Sequence, residues 1–135
     1  MSVETKNRYI EAVGRRKTAI ARVRITPATK TSFLVNDKDV KEYFVTEELQ
    51  MIAQEAISKS EVGEKFTVTV HVLGGGIHAQ AEAVRHGLSR TLVERDEQVK
   101  NTLKKLGFLK RDSRQVERKK FGLKKARKAP TWSKR

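Results

Sequence analysis

From Thr18 to Thr26 hydrophobic and polar positions alternate without a break. Ala19, Ala21, Val23 and Ile25 fall on one side, and Thr18, Ile20, Arg22, Arg24 and Thr26 on the other. A period of two predicts a half-buried strand whose outer face carries two arginines. Residues 8–13 predict a strand before it, with Gly14-Arg15-Arg16-Lys17 as the turn between them, and Pro27 ends the second strand. Ser32 to Val35 reads as a short third strand followed by the turn Asn36-Asp37. Thr46 can cap a helix, and Glu47 and Glu48 suit its first turn, where the helix dipole favours carboxylates. Leu49, Ile52, Ala53, Ala56 and Ile57 follow at helical spacing. Residues 61–65 form a polar loop around Gly63. Phe66, Val68, Val70 and Val72 then alternate with Thr67, Thr69 and His71, a fourth strand. After Gly74-Gly75-Gly76, Ile77, Ala81, Val84, Leu88 and Leu92 recur at steps of three and four. Asp96 can cap a last helix, with Val99, Leu103 and Leu106 on one face and Gly107 as its stop. The order predicts an α+β fold, a two-layer α/β sandwich with helices packed on one face of one sheet.

Charge divides the chain differently. Residues 1–26 carry net +5, residues 27–109 net −1, and residues 110–135 net +10 of the total +14. The expected organisation is a globular domain at 1–109 and a basic tail at 110–135. The tail has twelve basic residues against only Asp112 and Glu117, and its Val116, Phe121, Leu123 and Trp132 are too sparse to close a core. It cannot recover its ordering entropy by burial alone, so it is expected to be disordered until a polyanion fixes it. Stretched out it reaches roughly 80 Å, at ~3.3 Å per residue. The domain's radius of gyration is only about 13 Å. A solvated basic end and an arm threaded through nucleic acid both fit the composition.

The chain has no cysteine, which excludes disulfides, thiolate zinc sites and cysteine nucleophiles. No apolar run reaches the ~18 residues of a membrane span. Neither a membrane nor a homo-oligomer is expected, and the lack of cysteine fits an intracellular protein. The glycine run Gly74, Gly75, Gly76 lies between a strand and a helix, where close backbone approach to a phosphate is feasible. It lacks the Lys-Ser/Thr and the glycine spacing of nucleotide loops, so it is either a tight structural turn or a turn that also admits RNA backbone. On the following helix His78, Glu82, Arg85 and Ser89 point away from the apolar stripe, with Gln80, His86 and Arg90 beside it. That face is either solvated or a nucleic-acid contact. His71, His78 and His86 have no metal-ligand spacing, so no metal or cofactor is expected. No nucleophile-base set is present, and the chain reads as a non-enzyme. The competing readings are a DNA-compacting basic protein and a small nuclease. Candidate nucleic-acid contacts are Arg15, Arg16, Lys17, Arg22, Arg24, Gly74, Gly75, Gly76, His78, Gln80, Arg85, His86 and Arg90. In the tail they are Arg111, Arg114, Gln115, Arg118, Lys119, Lys120, Lys124, Lys125, Arg127 and Lys128.

Several segments resemble one family in the right order. They are Gly14-Arg15-Arg16-Lys17-Thr18-Ala19 with Ala21-Arg22-Val23; Gly74 to Gln80 with Ala83 to Leu88; Arg111 to Lys120; and the terminal Trp132-Ser133-Lys134-Arg135. Together they resemble the universal ninth protein of the small ribosomal subunit over nearly the whole chain. The chain departs from that pattern at Val45, where proline is frequent, and at Ala129 and Thr131, where basic or amide residues are. The resemblance implies the fold of the second domain of ribosomal protein five, with a left-handed βαβ crossover and a long extended basic C-terminal tail. It implies a structural, cytoplasmic component of the small-subunit head, with small-subunit ribosomal RNA and neighbouring head proteins as partners. It also implies that Ser133, Lys134 and Arg135 touch the transfer RNA in the peptidyl site.

Overall fold

A computed structural model describes residues 9–60, 65–115 and 117–132. All but Lys65 of the loop expected at 61–65, together with Val116 and the tip Ser133, Lys134 and Arg135, lies outside them. Five strands run β1 (Ile10–Arg16), β2 (Ala19–Pro27), β3 (Ser32–Val35), β4 (Lys38–Asp39) and β5 (Phe66–Leu73). The helices are α1 (Val40–Tyr43), α2 (Glu47–Ser60), α3 (Ile77–Arg95) and α4 (Lys100–Lys105). The strands form one mixed sheet in the order β1-β2-β5-β3-β4. Among the described residues only β3 and β5 pair in parallel, and β4, α1 and α2 lie between them in the chain. The expected mixed α/β class therefore holds.

The alternating patterns give the core. Ala19, Ala21, Val23 and Ile25 of β2 and Phe66, Val68, Val70 and Val72 of β5 are all buried. They meet Ala81, Val84, Leu88 and Leu92 of α3 in one cluster, with Ala53 and Ala56 of α2. Each fully buried Val, Leu, Ile or Phe among them contributes about 1.5–3 kcal/mol, and each Ala less. The opposite sheet face is open, with Ile20, Arg22, His71 and Leu73 exposed.

Three local boundaries differ from the sequence reading. β1 runs through Gly14 to Arg16, and the turn is Lys17-Thr18, with Arg16 opposite Ala19. Gly14 belongs inside the strand because β1 crosses α3 there: a Cβ on Gly14 would stand 1.9 Å from the Ala83 carbonyl and 2.2 Å from the Gly87 nitrogen. Lys17 takes the left-handed turn conformation, with φ 52°. Asp96 caps a 3-10 turn, Glu97–Val99, by accepting from the Gln98 N–H at 3.0 Å, and α4 begins only after it. The third difference is the extra β4 and α1. Asn36 and Asp37 both have positive φ, which makes them a two-residue hairpin turn. Asp39 then caps α1 by accepting from the Lys41 N–H.

Gly107 stops α4 as expected. Its N–H donates to Lys104 O and that of Phe108 to Leu103 O, each at 3.1 Å, the paired bonds of a Schellman motif. Gly107 supplies the required positive φ of 80°. Phe108, the residue after it, folds into the core. That closure brings the chain back over α3 where the basic tail begins.

Candidate nucleic-acid interface

The tail leaves the domain through a clamp. The Arg16 guanidinium, at the end of β1, pairs with Glu82 of α3 and stands 3.3 Å from an Asp112 carboxylate oxygen. The same side chain donates to the backbone carbonyls of Asp112 at 3.4 Å and Arg114 at 2.6 Å. Only 12% of it is exposed. Glu82 also lies 3.5 Å from His78 Nδ1. Asp112 in turn holds Arg114 through both carboxylate oxygens, with a shortest contact of 2.7 Å. Those hydrogen bonds from Arg114, aided by the positive charges of Arg114 and Arg16, hold the Asp112 carboxyl well below its usual range.

His86 is the second tie. Its Nδ1 accepts the Arg15 N–H at 3.2 Å, and it is also hydrogen-bonded to the Leu109 backbone. Burial lowers its pKa, and the charges of Arg90 and Arg111 push the same way, against the pull of the Leu109 bond. An imidazole whose Nδ1 accepts a backbone N–H is neutral there. Arg85 is also turned inward. It pairs with Glu55 of α2 at 3.0 Å and lies over the Phe108 ring, 4.8 Å from its centroid.

Several residues read from the sequence as open to nucleic acid thus spend their polar atoms inside the fold. Gln80 accepts from the Tyr43 hydroxyl at 2.6 Å and donates to Gly74 O at 3.0 Å. Ser89 is fully buried, with its hydroxyl on Arg85 O. Arg90 donates to Val13 O at 2.5 Å but remains exposed. The face of α3 away from the apolar stripe is therefore covered by α2 and the tail root along Glu82, Arg85 and Ser89, and stays open only at His78. Conversely Ile77, placed in that stripe, is exposed. Gly74 and Gly75 take positive φ and press against Thr18 and Ala19 backbone, as a structural turn requires, while Gly76 has open space around it.

What remains outward is a set of basic side chains, one imidazole and one amide. Arg15, Lys17, Arg22, His78, Arg111 and Gln115 are exposed. Arg24 is half-buried, facing Glu11 at 3.3 Å and the Tyr9 ring at 4.6 Å. In the tail Glu117 gathers Lys120 at 2.6 Å and Arg127 at 2.7 Å. Their hydrogen bonds lower its pKa. Among the described residues no carboxylate pairs with Arg118, Lys119, Lys124, Lys125 or Lys128, all exposed. From residue 110 to 132 the described residues form no helix or strand, and Phe121 and Trp132 lie bare. The clamp acids Glu82 and Asp112 were missed in the sequence. The available signal was that Asp112 is one of only two acids in the tail.

No helix among the described residues is long and apolar enough to cross a membrane, and no group of three or more His, Asp or Glu residues among them is placed to hold a metal. A small mixed α/β domain that carries an exposed basic arm is the class these features define. The chain matches the family described as Ribosomal protein S9/S16 over residues 14–135, and it belongs to that family. The family is one of structural ribosomal proteins of the small subunit, acting in translation. Membership places the chain in the cytoplasm as part of the ribosome.

Proposed function

We propose that this chain binds ribosomal RNA in the head of the small subunit and reaches peptidyl-site transfer RNA with the end of its tail. The working division is a domain at 1–109 and a threading tail at 110–135, with a left-handed connection between β3 and β5. The observation that carries the reading is the row of exposed tail cations with no carboxylate beside them. Five such charges along one short segment repel each other and are matched only by a regularly spaced polyanion. Arginine forks clamp phosphate oxygens, lysines supply mobile charge, and Trp132 is placed to stack on a base. Phosphate contacts position without reading sequence, which suits an arm that must accept every transfer RNA. Within the domain the proposed RNA surface centres on Arg15, Lys17, Arg22 and His78. Arg16, Gln80, Arg85 and His86 act by shaping it. The test is sedimentation of tagged full-length chain from cell extract after a high-salt wash. Stoichiometric recovery with small subunits is expected. Recovery with the nucleoid, or in no particle, would overturn the proposal.

A further inference from the structure

One surface of this basic protein is acidic and apolar. Residues 36–55 hold six acidic and two basic side chains, net −4 in a chain of +14. Along α2 an open groove is lined by Glu47 and Glu48 at one end and Lys59 at the other, with Met51, Ile52 and Ser58 between them, while Glu55 at its edge is already paired with Arg85. The buried side of α2, with Ala53 and Ala56, is used up against the core. On the outward side Met51 is 71% exposed, and Val45, just before the helix, is 82% exposed. Such exposed apolar residues rimmed by carboxylates do not suit a phosphate backbone, which Glu47 and Glu48 repel. Methionine adapts to varied apolar partners, and carboxylates at its sides select lysine and arginine. We propose that this groove docks a Lys/Arg-rich segment of a second ribosomal protein, with an apolar side chain seated on Met51 and basic side chains on Glu47 and Glu48. The choice of a ribosomal protein as the partner rests on the small-subunit reading above.

Two measurements test it. In the first, a fluorescent 18-residue helical peptide of lysines with a leucine stripe is titrated with the full-length chain. Binding about tenfold weaker is expected for Met51→Ser, which removes the apolar seat without adding charge, and for the double variant Glu47→Lys, Glu48→Lys, a loss of about 1.4 kcal/mol. Thermal melts check that both variants stay folded. Equal affinity for folded wild type and variants would overturn the docking surface. In the second, a photoreactive benzoylphenylalanine replaces Met51 in purified small subunits, and the cross-linked product is sequenced. A Lys/Arg-rich stretch of another ribosomal protein is expected. Cross-links to RNA, to the chain's own tail or to a second copy would each overturn the assignment. Should the chain fail to enter small subunits at all, the ribosomal reading falls, and the peptide titration still decides whether the groove takes a basic segment.

Discussion

Arg16 shows how one side chain changes meaning once its neighbours are known. Beside Arg15 and Lys17 it reads as a phosphate contact, yet its guanidinium is held by Glu82, Asp112 and two tail carbonyls. A largely buried, charged donor with four acceptors costs more to remove than an exposed cation, because Glu82 and two tail carbonyls lose it together. Arg16→Ala is expected to destabilise the domain by about 1–3 kcal/mol. It should also speed amide exchange at 110–115 more than in α3, as read by hydrogen exchange. Uniform acceleration everywhere would mean that no local clamp exists. His86 adds a pH dependence of defined sign. Its folded pKa lies below its ordinary value, so the unfolded chain takes up the proton first as pH falls. This contribution is fully present above about 6.5 and is lost as pH drops below it. Protonation would put a donor on Nδ1 against the Arg15 N–H. Tm should therefore fall more between pH 7.5 and 5.5 in wild type than in His86→Gln, which keeps an acceptor but does not titrate. Parallel curves would remove His86 from the tail anchor.

At the scale of elements, the crossing of β1 over α3 is made by two glycines. A Cβ on Gly87 would meet the Val23 side chain at 2.7 Å and Gly14 N at 2.9 Å, the reciprocal of the contact made at Gly14. Backbone atoms on two paired elements cannot step aside. Gly14→Ala is expected to cost at least about 3 kcal/mol, at the upper end of overpacking. Chemical denaturation measures it, and a loss below 1 kcal/mol would show that the crossing is loose. This also explains what was legible. The strands β2 and β5 and the stop of α4 could be read directly, because alternation and a positive-φ glycine are local signals. Gly14 is also a local signal, but of the wrong kind: glycine marks a turn in sequence, and only the approach of α3, far along the chain, reveals a packing role. The faces of α3 failed for a related reason. Its small residues Ala79, Ala83 and Gly87 let neighbours close in, and so Ser89, Arg85 and Gln80 were drawn under cover although their sequence pattern marks an outer face. The clamp acids were illegible because ion pairs between residues 66 and 96 apart leave no periodic trace.

At the scale of the whole molecule the clamp and the charge division act together. The clamp holds residues 112–114, and the exposed cations beyond it are left for the RNA contact proposed above. If the tail and the Arg15–Lys17 turn neutralise about 8 phosphates, log affinity for ribosomal RNA should fall against log salt with a slope on the order of −6 to −7. A slope near −1 in a filter-binding titration would rule out charge neutralisation as the main attraction. The tip is a separate matter. Ser133, Lys134 and Arg135 lie beyond Pro130, outside any apolar pattern, and bring two side-chain charges to the end of the arm. Contacts of exposed charge with phosphate are individually modest, ~0.5–1.5 kcal/mol per hydrogen bond and somewhat more when charged. Deleting these three residues should raise transfer-RNA dissociation from the peptidyl site several-fold to about a hundredfold, while the domain folds and subunits assemble. Truncation from Lys110 onward should be worse, because it also removes the cations proposed for ribosomal RNA. The check is to build subunits with the three-residue truncation and measure transfer-RNA off-rates. Unchanged off-rates with defective assembly would make the tip an assembly element, and the transfer-RNA role would be withdrawn.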